Sequence, residues 1–201
     1  MSGLAPTPSH TVGPFYGYAL PFPEGGDLVP AGRTDAVTVH GYVYDGEGNP
    51  VPDALLEVWQ ADPDGGLSGA PGSLRRDPVT GGHLGRNGVD FTGFGRIGTD
   101  ADGHWAVRTL VPGARPGHAP YLGVCVFARG LLHHLFTRVY FPLPEHAAAQ
   151  ASDPLLASLP AGRRETLVAV DDGRGGCASY RFDIRLQDAD GAGETVFLEF
   201  T

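Results

Sequence analysis

Hydrophobic and polar positions alternate with a period of two along most of the chain, the signature of strands with one buried face. Val37–Tyr44 alternates and runs into the turn residues Asp45-Gly46-Glu47-Gly48-Asn49-Pro50. In the run 54–61, Leu56, Val58 and Gln60 fall on one face and Leu55, Glu57 and Trp59 on the other. Phe94–Thr99 and His104–Leu110 flank Asp-Ala-Asp-Gly at 100–103 and are predicted to pair as a hairpin. A second antiparallel pair is predicted from Tyr121–Arg129 and Leu135–Phe141, where Val124, Val126 and Ala128 alternate with Cys125, Phe127 and Arg129. Glu165–Val170, Ala178–Gln187 and Thr195–Phe200 complete a set of about nine strands. Helix signals are confined to Glu145–Gln150 and Pro154–Leu159. The pattern predicts an all-β protein, one β-sandwich domain over 1–201 with an N-terminal arm at 1–36 and the sandwich at 37–201.

Two long segments lack the alternation. Residues 1–36 are rich in Pro and Gly, and their one aromatic cluster, Thr11-Val12-Gly13-Pro14-Phe15-Tyr16, predicts an arm that docks on a surface. Residues 62–93 read as a Gly-rich loop of functional or interface length. In the 121–142 stretch, Arg129 and Arg138 sit in otherwise apolar runs, so each needs an acidic partner, a ligand or a subunit edge.

Composition narrows the function. A chain of 201 residues suits one filled core. Its 31 Gly and 18 Pro mark a loop-rich protein, and 41% hydrophobic residues mark a folded one. A net charge of -9 argues against nucleic acid. Neither a secretory signal nor an apolar run of membrane-span length is present, so a cytoplasmic protein with no membrane contact is expected. Cys125 and Cys177 are expected to be free thiols. The eight histidines are scattered, except His133-His134, which are neighbours and point to opposite sides of an extended strand. No His-x-His, Cys-x-x-Cys or His-Glu-x-x-His spacing occurs, and no Gly-x-Ser-x-Gly elbow. These residues by themselves predict neither a metal site nor a nucleophile in this chain.

Gly41-Tyr42-Val43-Tyr44-Asp45, Pro50-Val51-Pro52-Asp53-Ala54 and Leu56-Glu57-Val58-Trp59-Gln60-Ala61-Asp62 stand in order ahead of Gly95-Arg96, Asp102-Gly103, Arg108-Thr109 and Pro112-Gly113. Together they resemble the signature of the intradiol ring-cleaving dioxygenases. Thr11-Val12-Gly13-Pro14, Phe127-Ala128-Arg129-Gly130, Thr137–Phe141, Arg163–Leu167 and Tyr180–Arg185 further resemble the iron-free chain of its two-chain members. The resemblance implies a β-sandwich and oxygen-dependent opening of a dihydroxybenzoate ring at a ferric ion held by two tyrosines and two histidines. The family's ligand positions fall near Leu67, Arg115, Tyr121 and Gly123 of this chain. Three of these cannot serve, and Tyr121 stands where a histidine belongs. The resemblance therefore implies no catalytic residue and no metal in this chain. The Fe(3+) belongs to a partner beta chain in a hetero-oligomer of paired chains. It also implies that Thr11, Gly13, Pro14 and Arg129 line the partner's substrate pocket, with Arg129 facing the substrate carboxylate or ordering the loops around it. Two rival readings stand beside this one: a binding or scaffold sandwich that has lost the chemistry, and a self-sufficient enzyme with unrecognised iron ligands.

Overall fold

The computed structural model describes residues 7–67, 69–70, 73–173 and 178–199. Two facing sheets form its centre. In the first, β1 (Val37–Tyr44) pairs antiparallel with β6 (His104–Thr109), from Val37 opposite Thr109 to Tyr42 opposite His104. Two short strands, β10 (Ser179–Arg181) and β11 (Ile184–Arg185), run parallel to β1 in succession, and β10 carries β9 (Val170–Asp171). The second sheet has the order β5 (Phe94–Gly98), β2 (Leu55–Gln60), β7 (Tyr121–Phe127), β8 (Leu135–Tyr140), antiparallel throughout. A detached hairpin joins β3 (Leu74–Arg76) to β4 (His83–Arg86).

The alternation read from the sequence is what fills the space between the sheets. Val39 and Val43 of β1, Val107 of β6, Leu56 and Val58 of β2, and Leu122, Val124 and Val126 of β7 point into one fully buried core with Trp105 and Phe141. The odd-numbered residues of β7 face outward and build the surface described below. A smaller cluster, with Tyr140, Leu156, Leu167 and Val196, lies beneath a helical segment. That segment holds a 3₁₀ turn (Pro144–His146) and three short helices, α2 (Ala147–Ser152), α3 (Pro154–Ser158) and α4 (Ala161–Glu165). One helical turn, α1 (Tyr16–Ala19), interrupts the arm.

Several expectations need correction. Residues 94–110 do not form a hairpin: β5 joins the second sheet through β2, and β6 joins the first through β1. The Asp100–Gly103 turn is real, with Asp100 N–H donating to His104 C=O, but the strands diverge beyond it to cover the core from both sides. The loop at 62–93 contains the β3–β4 hairpin, too short and polar to show an alternation. Its anchor is Arg86, whose buried guanidinium donates to the carbonyls of Glu24, Gly25 and Phe94 and to the Thr92 hydroxyl. Glu165–Val170 is not one strand: α4 occupies its start, Val168 makes an isolated bridge to Tyr140 of β8, and Val170 opens β9 in the first sheet. The predicted strand 178–187 breaks at Phe182-Asp183. There the Phe182 carbonyl packs against Gly41 so closely that a Cβ at 41 would collide with it, and the Asp183 carboxylate accepts the Tyr42 N–H instead. Of 195–200, Leu198 makes a single bridge to Phe136, and Phe200 lies outside the described residues. Arg129 is not inside a strand, since β7 ends at Phe127. Among the described residues, no helix is long and apolar enough to cross a membrane.

Candidate functional site

The outward face of the second sheet is the floor of a cavity of about 980 Å³, within the range of small-molecule sites. Register fixes its layout. Glu57 stands opposite Cys125 and Trp59 opposite Gly123. Across the next ladder, Gly123 stands opposite Arg138 and Cys125 opposite Phe136. Every one of these side chains is on the face that β7 turns away from the core. The loops above contribute Asp62–Asp64, Gly66, Leu67, Phe91–Gly93, Gly113 and Arg115.

Leu67, Arg115, Tyr121 and Gly123 all line this one cavity. The four positions come from two separate loops and one strand, β7, and the fold gathers them. Their chemistry does not fit a ferric ion: one phenol, one guanidinium, one leucine and one glycine give a single oxygen donor. Among the described residues, no group of three His, Cys, Asp or Glu side chains is placed to hold a metal ion.

Other contacts occupy that space. With no side chain at Gly123, Arg138 leans diagonally over the Tyr121 ring, its guanidinium carbon 4.1 Å from the centroid, a cation–π contact. Arg138 Nη1 also donates to Tyr140 Oη at 3.3 Å, and the Tyr140 hydroxyl donates to Asp153 Oδ1 at 3.2 Å. Burial pushes the Tyr140 hydroxyl up to about 12, with the Arg138 charge opposing and Asp153 reinforcing. It therefore stays protonated and works as a donor. Asp153 is fully buried. Its carboxylate caps α3 through the N–H groups of Leu155 and Leu156 and accepts the Ala119 N–H at 3.0 Å. No motif in the sequence marks Asp153; its one signal is the Asp-Pro pair that opens α3.

Cys125 also lies on the floor, buried. Desolvation first, and then the Glu57 charge, push its thiol up to about 12, so it is an inert side chain rather than a nucleophile. Cys177 lies outside the described residues. His133 and His134 fall in the turn between β7 and β8. His134 packs against Phe127 and Phe136, and His133 lies 3.5 Å from Ser9 Oγ.

The remaining site candidates gather at the opposite end of β7. Arg129, whose side chain is 64% exposed, forms an ion pair with Asp53 in the turn before β2. The hydroxyl of Tyr16 donates to the Asp53 carbonyl. Burial raises the affinity of Tyr16 for its proton, and the Asp53 charge adds to it. Upstream, His10 and Val12 border a small groove with Phe127, Leu131 and His133. The arm is thus held on both sides of Thr11, Gly13 and Pro14, against the loop that carries Arg129. Gly13 takes the left-handed backbone conformation (φ +74°) with open space around it, which side chains other than glycine rarely adopt. None of these four residues lines the 980 Å³ cavity.

The fold is shared with dioxygenases of known structure. The dioxygenase domain of a carbohydrate-binding fusion protein from Streptomyces sp. SirexAA-E is 27% identical and superposes with a TM-score of 0.55, covering 92% of this chain and 100% of that one. Residues 27–120 match the Dioxygenase family. The protocatechuate 3,4-dioxygenase alpha chain of Burkholderia cepacia is 43% identical over 99% of this chain and 100% of its own length. The beta chain of the same name and organism is 31% identical over 78% of this chain and 66% of its own. The chain belongs to the intradiol dioxygenase family, in the group of the protocatechuate 3,4-dioxygenase alpha chains.

Proposed function

We propose that this chain is the alpha subunit of a protocatechuate 3,4-dioxygenase. In that enzyme 3,4-dihydroxybenzoate and dioxygen give 3-carboxy-cis,cis-muconate, a step in aromatic degradation. One observation carries the reading. The chain is similar over its full length to an alpha chain, and Leu67, Arg115, Tyr121 and Gly123, which the resemblance assigns to the family's iron-ligand positions, line one cavity without a ligand set for iron. The Fe(3+) is assigned to a beta subunit, and no chemical step is assigned to the residues of this chain.

The contribution of this chain is binding and shape. Thr11, Gly13 and Pro14 are assigned to the wall of the partner's substrate pocket, and Arg129 to the substrate carboxylate or to the order of the loops around it. The contacts of Arg129 support the second role: its charge is met by Asp53, and the Asp53 carbonyl also receives the hydroxyl of Tyr16 from the arm. The guanidinium keeps donors beyond those facing Asp53 and is largely exposed, which leaves an edge for a carboxylate. Exposed Phe15 and Tyr18, 76% and 88% accessible, give the arm apolar area to bury against a second subunit.

Oxygen uptake with protocatechuate tests the assignment. It is expected from this chain co-expressed with a beta subunit and absent from either separated chain. Uptake by this chain alone would refute it. A stable complex that turns over no faster than the beta subunit alone would favour the scaffold reading instead.

A further inference from the structure

The cavity on the outer sheet face holds two cations without anionic partners among the described residues. Five guanidinium N–H groups are available on each arginine. Arg138 commits one of them to the Tyr140 hydroxyl. No ion pair joins Arg115 or Arg138 to a carboxylate among the described residues. The acidic side chains on the cavity wall do not compensate. Glu57 is engaged by Arg96 at 2.7 Å, and Asp62 accepts the N–H groups of Asp64 and Gly66. Asp64 is exposed and meets neither arginine. The third cation on the wall, Arg33, is matched by Asp35.

The rest of the wall is aromatic or bare. Trp59, Phe91, Tyr121 and Phe127 supply ring surface, and Gly123 leaves the floor open between Trp59 and Arg138. A flat ring can lie on that glycine, while a carboxylate at its edge meets the planar fork of Arg138 with two parallel hydrogen bonds. Tyr121 and Tyr140 hold Arg138 in place before any ligand arrives, so little ordering entropy is lost on binding.

We propose that this cavity is a metal-free binding site for a small aromatic carboxylate, with Arg138 as its anchor and Arg115 as a second positive charge at the rim. The site binds and performs no chemistry. It needs neither a partner subunit nor the proposed activity, so it stands or falls separately from them.

Calorimetric titration of the full-length chain with benzoate tests the site, with benzamide as the neutral ligand of the same shape. Saturable binding of one benzoate per chain is expected, with benzamide at least about tenfold weaker. Arg138→Met is expected to weaken benzoate by about tenfold or more, and Arg115→Met by less. Trp59 lies on the wall and is 58% exposed, whereas Trp105 is 1% exposed in the core. Benzoate should therefore change the emission of wild-type protein, and should not change that of Trp59→Phe. The proposal is overturned by no saturable binding up to about 10 mM, a range that covers affinities too weak to matter. Equal affinity for benzamide overturns it too, as does wild-type affinity in a folded Arg115→Met/Arg138→Met chain. The comparison of ligands uses wild-type protein alone, so it decides the matter even where a variant fails to fold.

Discussion

Replacing Asp153 with alanine should produce one of the larger stability losses available in this chain. The carboxylate is inaccessible to solvent and accepts four hydrogen bonds: from the N–H groups of Leu155, Leu156 and Ala119 and from the Tyr140 hydroxyl. Loss of the helix cap costs about 1 kcal/mol. The Ala119 N–H and the Tyr140 hydroxyl are then left buried without acceptors, at about 1–3 kcal/mol each. The sum, about 3–7 kcal/mol, is a large part of the 5–15 kcal/mol that holds a typical domain together. Tyr140→Phe deletes the donor along with its bond and should cost only about 1 kcal/mol. Because Asp153→Ala already breaks that bond, the double variant should lose less than the two single losses together, by about 1 kcal/mol. Urea unfolding followed through the emission of buried Trp105 supplies the numbers, compared at equal slope. A loss below about 1 kcal/mol for Asp153→Ala, no more than an ordinary capping change, would refute the reasoning. Strict additivity with Tyr140→Phe would refute the link from helix α3 to the cavity floor.

Three further outcomes follow from the contacts described. Arg129→Ala in the assembled enzyme should raise the KM for protocatechuate while iron content stays unchanged; equal loss for catechols without the carboxylate would remove its proposed role. Arg86→Met should loosen the β3–β4 hairpin by about 2–3 kcal/mol, since three backbone carbonyls lose a charged donor, and faster proteolysis within 74–86 would show it. His146 is buried and holds its proton less readily than a free histidine, chiefly through desolvation. Its folded state resists protonation, so stability should fall as pH drops through the ordinary histidine value of about 6.5 and level off below the depressed one. His146→Gln should flatten that part of the urea-midpoint profile, and an unchanged profile would assign the effect elsewhere.

The strands that cover the core were legible because alternation states which residues are buried, as at Leu56-Val58-Gln60 and Val124-Val126. The partner of each strand was less so. Residues 94–110 carry a strong turn signal, yet the strands on either side belong to different sheets, because what they pack against lies far away in sequence. Short strands such as Leu74–Arg76 and His83–Arg86 bury too little to leave a pattern. The grouping of Leu67, Arg115, Tyr121 and Gly123 came from resemblance: Tyr121 and Gly123 share a strand face by their spacing, but nothing local ties them to Leu67 and Arg115, which the fold brings to the same cavity. The reading of Arg129 as a charge inside a strand failed on a boundary of two residues, and its contact with Asp53 explains how the charge is tolerated. The Asp153–Tyr140–Arg138 chain joins a helix cap to an outward strand face, a connection without a sequence pattern.

The central claim is that the family's metal site in this chain has become a metal-free cavity. Metal analysis and the visible spectrum of the lone full-length chain, purified after expression with added iron, test it most directly. The account predicts no stoichiometric iron and no tyrosinate-to-iron charge-transfer colour in this chain, and both in the complex with a beta subunit. Stoichiometric iron with that colour in the lone chain would contradict it.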